Sequence, residues 1–194
     1  MAEMFRRRVA PGIEMRQFEL RDAETIFAVV ERNREHLREW LPWVDGTHSP
    51  EDVRPFILRA QAQLEAGQGP NAGVWVDGVL AGNVGCHAIH WANRNCSLGY
   101  WIDAAQQGKG FITRCCAAML DYLFDELHLH RVEIQCGTGN TRSCAIPERL
   151  GFTREGLLRE SEWVNDRWVD LVVWGMLEKQ WRAAAPSRPT YSAR

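Results

Sequence analysis

The segment NTRSCAIPERLGF, Asn140 to Phe152, holds a local contradiction. Its spacing predicts a helix from about Arg142 to Leu150, with Asn140 at the helix start and Ser143 in the first turn, both residue types that cap helices. Yet Pro147 stands four residues after Ser143 and has no N–H, so the Ser143 carbonyl lacks its usual helical partner. An acceptor stays free beside a serine hydroxyl, which can itself donate.

Upstream of a short strand predicted over Arg131 to Cys136 lies QQGKGFIT, Gln106 to Thr113, which places Gly108 and Gly110 just before an apolar-periodic helix running from about Gly110 to Leu127. A glycine pair leading into a helix exposes backbone N–H groups at the positive end of the helix dipole, a setting that suits a phosphate. A Walker loop is excluded because Lys109 is followed by Gly110 and not by Ser or Thr. The dinucleotide fingerprint fails too, since Thr113 stands where its third glycine belongs and the preceding strands form no βαβ unit. A short pyrophosphate cradle and a glycine turn that binds nothing both remain.

Further outward, extended and helical segments alternate. Ile13 to Phe18 reads as a strand and Arg21 to Trp40 as one helix, followed by a loop over Leu41 to His48 that carries Trp43 at its tip. Ser49, Pro50 and Asp52 open a second helix, which runs to about Ala66. Ala72 to Val76, Val79 to Ile89 and Asn95 to Ile102 read as an antiparallel meander whose first hairpin turns at Asp77-Gly78. After the Asn140 helix come two strands, Phe152 to Val164 and Trp168 to Leu177, around an Asn165-Asp166 turn.

Composition narrows the function classes. The 194 residues are 45% hydrophobic and 25% charged, ordinary for one domain with a real core, and the net charge of −2 gives no polyanion-binding face for nucleic acid. Arg6-Arg7-Arg8 is read as a solvated tail, with contact to something acidic as the alternative. No apolar run spans a bilayer, so no membrane partner is expected and a cytoplasmic protein is. The six cysteines form no CxxC pair and sit largely in apolar runs, as reduced, packed thiols. His87-x-x-His90 and His128-x-His130 lack the further ligands a metal needs, so no metal is expected.

The ordered set of motifs resembles the GCN5-related N-acetyltransferases (GNAT), and within them the RimJ/RimL branch of ribosomal-protein N-terminal acetyltransferases. Gly108 and Gly110 match the glycines of the family's acetyl-CoA loop, with Ala105 where Gln or Arg is usual. Asn140, Ser143, Leu150, Gly151 and Phe152 match its Asn-x-x-Ser and Leu-Gly-Phe motif. Leu37 to Trp43, Leu98 to Ile102, Glu155-Gly156 and Trp163 to Asp166 extend the likeness over roughly residues 12 to 181, leaving 1–11 and 182–194 as tails. The resemblance implies an α/β (α+β) GNAT fold: a mixed sheet with an antiparallel meander, a splayed pair of parallel strands and a C-terminal hairpin. Acetyl-CoA would lie in the splay, contacting Ile102, with its pyrophosphate over Gln106, Gln107, Gly108, Lys109, Gly110, Phe111 and Ile112. Family habit allows a homodimer.

Acyl transfer from a thioester to an amine needs a neutral amine, a stabilised oxyanion and a proton for the departing thiolate. A protein α-amine, with a pKa of about 7.7–8.0, is about a tenth neutral at pH 7, whereas a lysine near about 10.4 is neutral in about one molecule in 2,500. Two-residue alternation puts Glu160 and Glu162 on one side of their strand, and spacing does not choose between them. The resemblance favours Glu162 as the base, acting through a water; a structural partner for Arg159 or Arg167 is the other reading. It likewise implies Ser143 as the donor to the thiolate, against a helix-capping role, and Asn140 as a contact to the pantetheine arm, against a cap. The oxyanion would meet a backbone N–H within Tyr100 to Asp103. Trp43 and Glu160 are expected beside the acceptor, with Trp43 as a core aromatic the alternative. Cys136 is read as a buried strand cysteine near the coenzyme sulfur. No cysteine–histidine pair announces a nucleophile, so direct transfer is favoured over an acyl-enzyme. The acceptor is expected to be a protein N-terminus. A small-molecule amine, a longer acyl-CoA, or a module that binds acetyl-CoA without transferring it are the alternatives.

Overall fold

The computed structural model describes residues 4–184; the remainder of the expected C-terminal tail, 185–194, lies outside the described residues. Eight strands form one mixed sheet: β1 Arg6–Ala10, β2 Ile13–Gln17, β3 Asn71–Val76, β4 Val79–Cys86, β5 Asn95–Ile102, β6 Arg131–Gly137, β7 Thr153–Val164 and β8 Arg167–Leu177. Their order is β1-β2-β3-β4-β5-β6-β8-β7, so β8 inserts between β6 and β7. Every pairing is antiparallel except β5 with β6.

That one parallel pair positions the site. Its register runs from Asn95↔Arg131 to Leu98↔Ile134, after which β5 continues to Ile102 and β6 to Gly137 unpaired with each other. The sheet is split there. Six helices flank it: α1 Ala23–Arg32, α2 Arg34–Arg38, α3 Pro50–Glu65, α4 Phe111–Asp121, α5 Thr141–Arg149 and α6 Glu178–Ala183. Leu98, Val132, Ile134 and Met176 pack with Met119 and Leu120 of α4 on one face. Trp75 and Leu80 pack with Ile26 of α1 and Ile57 of α3 on the other. Each such side chain contributes about 1.5–3 kcal/mol by leaving water.

Three local expectations are corrected. Residues 6–10, read as a tail, form an edge strand, because Phe5 and Val9 alternate into the core beneath the charged run that hid them. The single helix predicted over 21–40 breaks at Asn33, whose buried carboxamide bonds back to the Val29 carbonyl at 2.8 Å and accepts the Ala104 N–H at 3.0 Å. The chain past 181 stays helical to Ala183, anchored by the buried Trp181, whose indole N–H donates to Asp121 at 2.9 Å.

The β7–β8 hairpin reaches back over the sheet. Its turn, with Asn165 and Asp166 at φ 43° and 72°, has the left-handed pair that a tight hairpin turn requires. Asn165 donates to the Arg38 carbonyl, and Arg167 donates to the Glu39 carbonyl at 2.7 Å. Trp40 packs beneath against Val164, Val169 and Leu171.

Candidate active site

A cleft of about 990 Å³ opens where β5 and β6 part, walled by the end of β5, the glycine turn with the start of α4, and residues of α2 and α5. Gly108 and Gly110 have φ of 74° and 76°, and Gly110 directly precedes α4. An added Cβ would meet nothing within 4 Å at either position, so the left-handed backbone, and not crowding, calls for glycine. The first-turn N–H groups of Phe111, Ile112 and Thr113 have no acceptor within the helix and lie at its positive end.

The charge of this cleft is one-sided. Lys109, Arg114, Arg142 and Arg149 line it, and no Asp or Glu does. Among the described residues, none of the four has a carboxylate within 4.0 Å. In a chain of net charge −2, that segregation suits a ligand with several negative charges.

Residues beneath the turn hold it in place. Asp103, only 4% exposed, accepts the Ala105 N–H at 3.0 Å and two bonds from Arg32 at 3.1 and 2.5 Å. Burial pushes its carboxyl up, but Arg32 and the surrounding amides outweigh that and hold it below the usual range. Asn33 secures Ala104 from the other side. Asp103 was expected only as the end of the stretch offering an oxyanion N–H, its side chain not at all, and Asn33 was not expected at the site; for Asn33 the available signal was a lone polar position within an apolar helical stripe.

On α5, Asn140 is the cap, its Oδ1 accepting the Ser143 N–H at 3.1 Å, which leaves the Ser143 hydroxyl uncommitted to capping. Ser143 Oγ lies 3.3 Å from both Tyr100 Oη and Cys136 Sγ. Tyr100 Oη in turn donates to the Ser143 carbonyl at 3.0 Å, the acceptor freed by Pro147. Burial pushes the Tyr100 hydroxyl well above its ordinary range, and it pushes the Cys136 thiol up to about 12. Both stay protonated.

Strand register sorts the backbone donors of β5. Asp103 N–H bonds to the Ala81 carbonyl, and the Ser97 carbonyl accepts from His87, so odd-numbered residues of this stretch turn to β4. The N–H groups of Tyr100 and Ile102 point the opposite way, into the split.

The acidic pair departs from expectation. β7 bulges between Leu158 and Glu162, and Glu160 takes φ 46°, so two-residue alternation does not relate the two acids. Glu160 is exposed, with its N–H tied to Asp170 at 2.7 Å. Glu162 is partly buried and pairs with Val169, which packs by Gly137 and Trp40 on the sheet face away from α4. Burial pushes its carboxyl up, and His87 draws it partly back. The His87 ring lies over Gly99 on that same face. Trp43 is exposed, not core, with its ring 6.3 Å from that of Trp101 in the cleft wall. The split therefore runs through the sheet, with Ser143 on one side and Glu162 on the other.

A family profile described as an acetyltransferase (GNAT) domain matches residues 13–153. The chain belongs to the GNAT acetyltransferase family. This GNAT chain is 36% identical over 182 residues to YdaF of Bacillus subtilis (strain 168), which carries the name of a ribosomal N-acetyltransferase; the match covers 92% of the GNAT chain and 98% of YdaF. It superposes with a TM-score of 0.84 on the microcin C7 self-immunity acetyltransferase MccE in complex with acetyl-CoA and AMP, at 25% identity over 87% of the GNAT chain and 94% of MccE. RimL, a ribosomal L7/L12 alpha-N-protein acetyltransferase solved with coenzyme A, superposes with a TM-score of 0.86 at 22% identity, covering 92% and 99% of the two chains, and shares the fold. The GNAT chain is an acetyl-CoA N-acetyltransferase with ribosomal-protein acetyltransferases among its relatives. Among its described residues no helix is long and apolar enough to cross a membrane, and no three His, Cys, Asp or Glu side chains are grouped to hold a metal.

Proposed function

We propose that this enzyme transfers acetyl from acetyl-CoA directly to the N-terminal α-amine of a protein, a ribosomal protein being the first candidate. One observation carries the reading: a carboxylate-free cationic cleft opens at a split through the sheet, with Ser143 toward one face and the partly buried Glu162 toward the other. The names of YdaF and RimL support the class of acceptor.

The coenzyme's pyrophosphate takes the N–H groups around Gly108 to Ile112, and its thioester lies in the split. Glu162 removes the proton of the ammonium group through a water. The freed amine forms a C–N bond to the carbonyl carbon, and the negative oxygen meets the N–H of Tyr100 or Ile102. The C–S bond then breaks: Ser143 gives its hydroxyl proton to the departing thiolate and is reprotonated by the second proton that the attacking nitrogen sheds, so a neutral amide and the coenzyme A thiol are left. A protonated Cys136 thiol is a poor nucleophile, which supports direct transfer without an acyl-enzyme. Trp43 and Glu160 stand at the acceptor side. Initial rates with peptide and small-amine acceptors at equal concentration test the proposal: preference for peptides supports it, and preference for a small amine overturns it.

A further inference from the structure

Gln107 touches two walls of the cleft. Its Nε2 lies 2.7 Å from His36 Nε2 on α2, and its Oε1 accepts a hydrogen bond from the Arg142 guanidinium on α5. Donor chemistry fixes this arrangement. A guanidinium only donates, so the carboxamide oxygen faces Arg142; the amide NH2 then faces His36, whose Nε2 must accept. Arg142 thus selects one of the two carboxamide orientations, and the contact to His36 on the other side holds the carboxamide there, which steadies Arg142.

The steadying partner is neutral, so the charge of Arg142 is not cancelled. Among the described residues its five-donor fork makes one hydrogen bond, to Gln107, and the remaining donors face no protein acceptor and are available to an anion. Gln107 also directly precedes Gly108, which ties the guanidinium to the turn whose N–H groups lie at the positive end of α4. Lys109 differs, since its Nζ turns to Gln106 within the loop at 2.9 Å. A side chain already held in place loses less rotamer freedom when it binds.

Resting on the reading of this cleft as the acetyl-CoA site, we propose that Arg142 is a pyrophosphate-binding residue, clamping the coenzyme from α5 against the glycine turn, with Gln107 and His36 as its positioning residues. Arg142 grips phosphate oxygens with its free donors. Gln107 and His36 act only through Arg142.

Calorimetry of coenzyme A and of 3′-dephospho-coenzyme A binding tests this with the full chain. Arg142→Ala should raise the Kd of both ligands by the same factor, about ten- to hundredfold. Arg142→Lys should give an intermediate loss and serves as the second variant if the alanine form folds poorly. Gln107→Ala and His36→Ala should each weaken binding less, and neither should weaken it further in the Arg142→Ala background. A Kd within twofold of wild type for Arg142→Ala overturns the clamp, as does multiplication of the losses in the double variants. A loss seen with coenzyme A but absent with the dephospho form overturns the pyrophosphate assignment, moving Arg142 to the 3′-phosphate. Failure of the wild-type chain to bind either ligand overturns the coenzyme reading itself, and the clamp with it.

Discussion

Tyr100 donates its hydroxyl proton to the carbonyl of Ser143 at 3.0 Å, filling the acceptor that Pro147 leaves without a helical partner. A proline in α5 and a tyrosine at the splayed end of β5 are thereby complementary, and the bond joins the two sides of the cleft beside the serine hydroxyl. Tyr100→Phe leaves that carbonyl unsatisfied, at a cost of about 1–3 kcal/mol, and should lower kcat by loosening Ser143. In a Pro147→Ala background the restored N–H at 147 satisfies the same carbonyl, so the stability cost of Tyr100→Phe should shrink while the loss of kcat remains. Thermal unfolding and steady-state rates of the four proteins measure this cycle. Equal stability costs in both backgrounds would contradict it.

Ser143→Ala separates catalysis from capping. Asn140 supplies the cap, so the variant should unfold within about 0.5 kcal/mol of wild type while its kcat falls. A substantial loss of stability with unchanged turnover would return Ser143 to a structural role.

Glu162 carries opposite effects on rate and stability. Burial holds its carboxyl above the ordinary 4.5, so the folded protein binds a proton more readily there than the unfolded chain does. Stability is then lost as pH rises through the window that begins near 4.5 and ends at the raised value. Glu162→Gln should melt higher than wild type at pH 7 and match it below that window, while its turnover at pH 7 falls. Retained turnover would remove Glu162 as the base.

Asp103 has the reverse sign. Its carboxyl is held below the ordinary 3.8, so its contribution is present above that value and fades as pH falls further. Asp103→Ala removes the acceptor of the Ala105 N–H and the partner of Arg32 under the glycine turn. We expect a loss of about 1–2 kcal/mol, discounted because Arg32 is half exposed, together with a higher KM for acetyl-CoA. Denaturant unfolding between pH 3 and 7 should show the wild-type advantage narrowing at the acid end. An unchanged KM would mean that the loop holds its shape without this carboxyl.

Where a backbone rule acts within a few residues, the sequence was readable. Gly108 and Gly110 announce the turn into α4, Asn165-Asp166 announces the hairpin, and Pro147 announces a free carbonyl. The donor to that carbonyl was not readable, because Tyr100 lies 43 residues away and meets Ser143 only once β5 and β6 diverge. Glu160 and Glu162 were misjudged for a related reason: alternation holds along a regular strand, and the bulge that interrupts it arises in the pairing with β8. His36, Gln107 and Arg142 belong to three separate segments, and no local pattern predicts that one carboxamide joins them.

The most direct test is mass spectrometry of peptides incubated with the protein and acetyl-CoA, each carrying a free or blocked α-amine and one internal lysine. An acetyl shift confined to peptides with a free α-amine is the expected result, and it also begins to rank the preferred first residue. A shift confined to lysine, or none on any peptide while coenzyme binding is intact, would contradict N-terminal transfer.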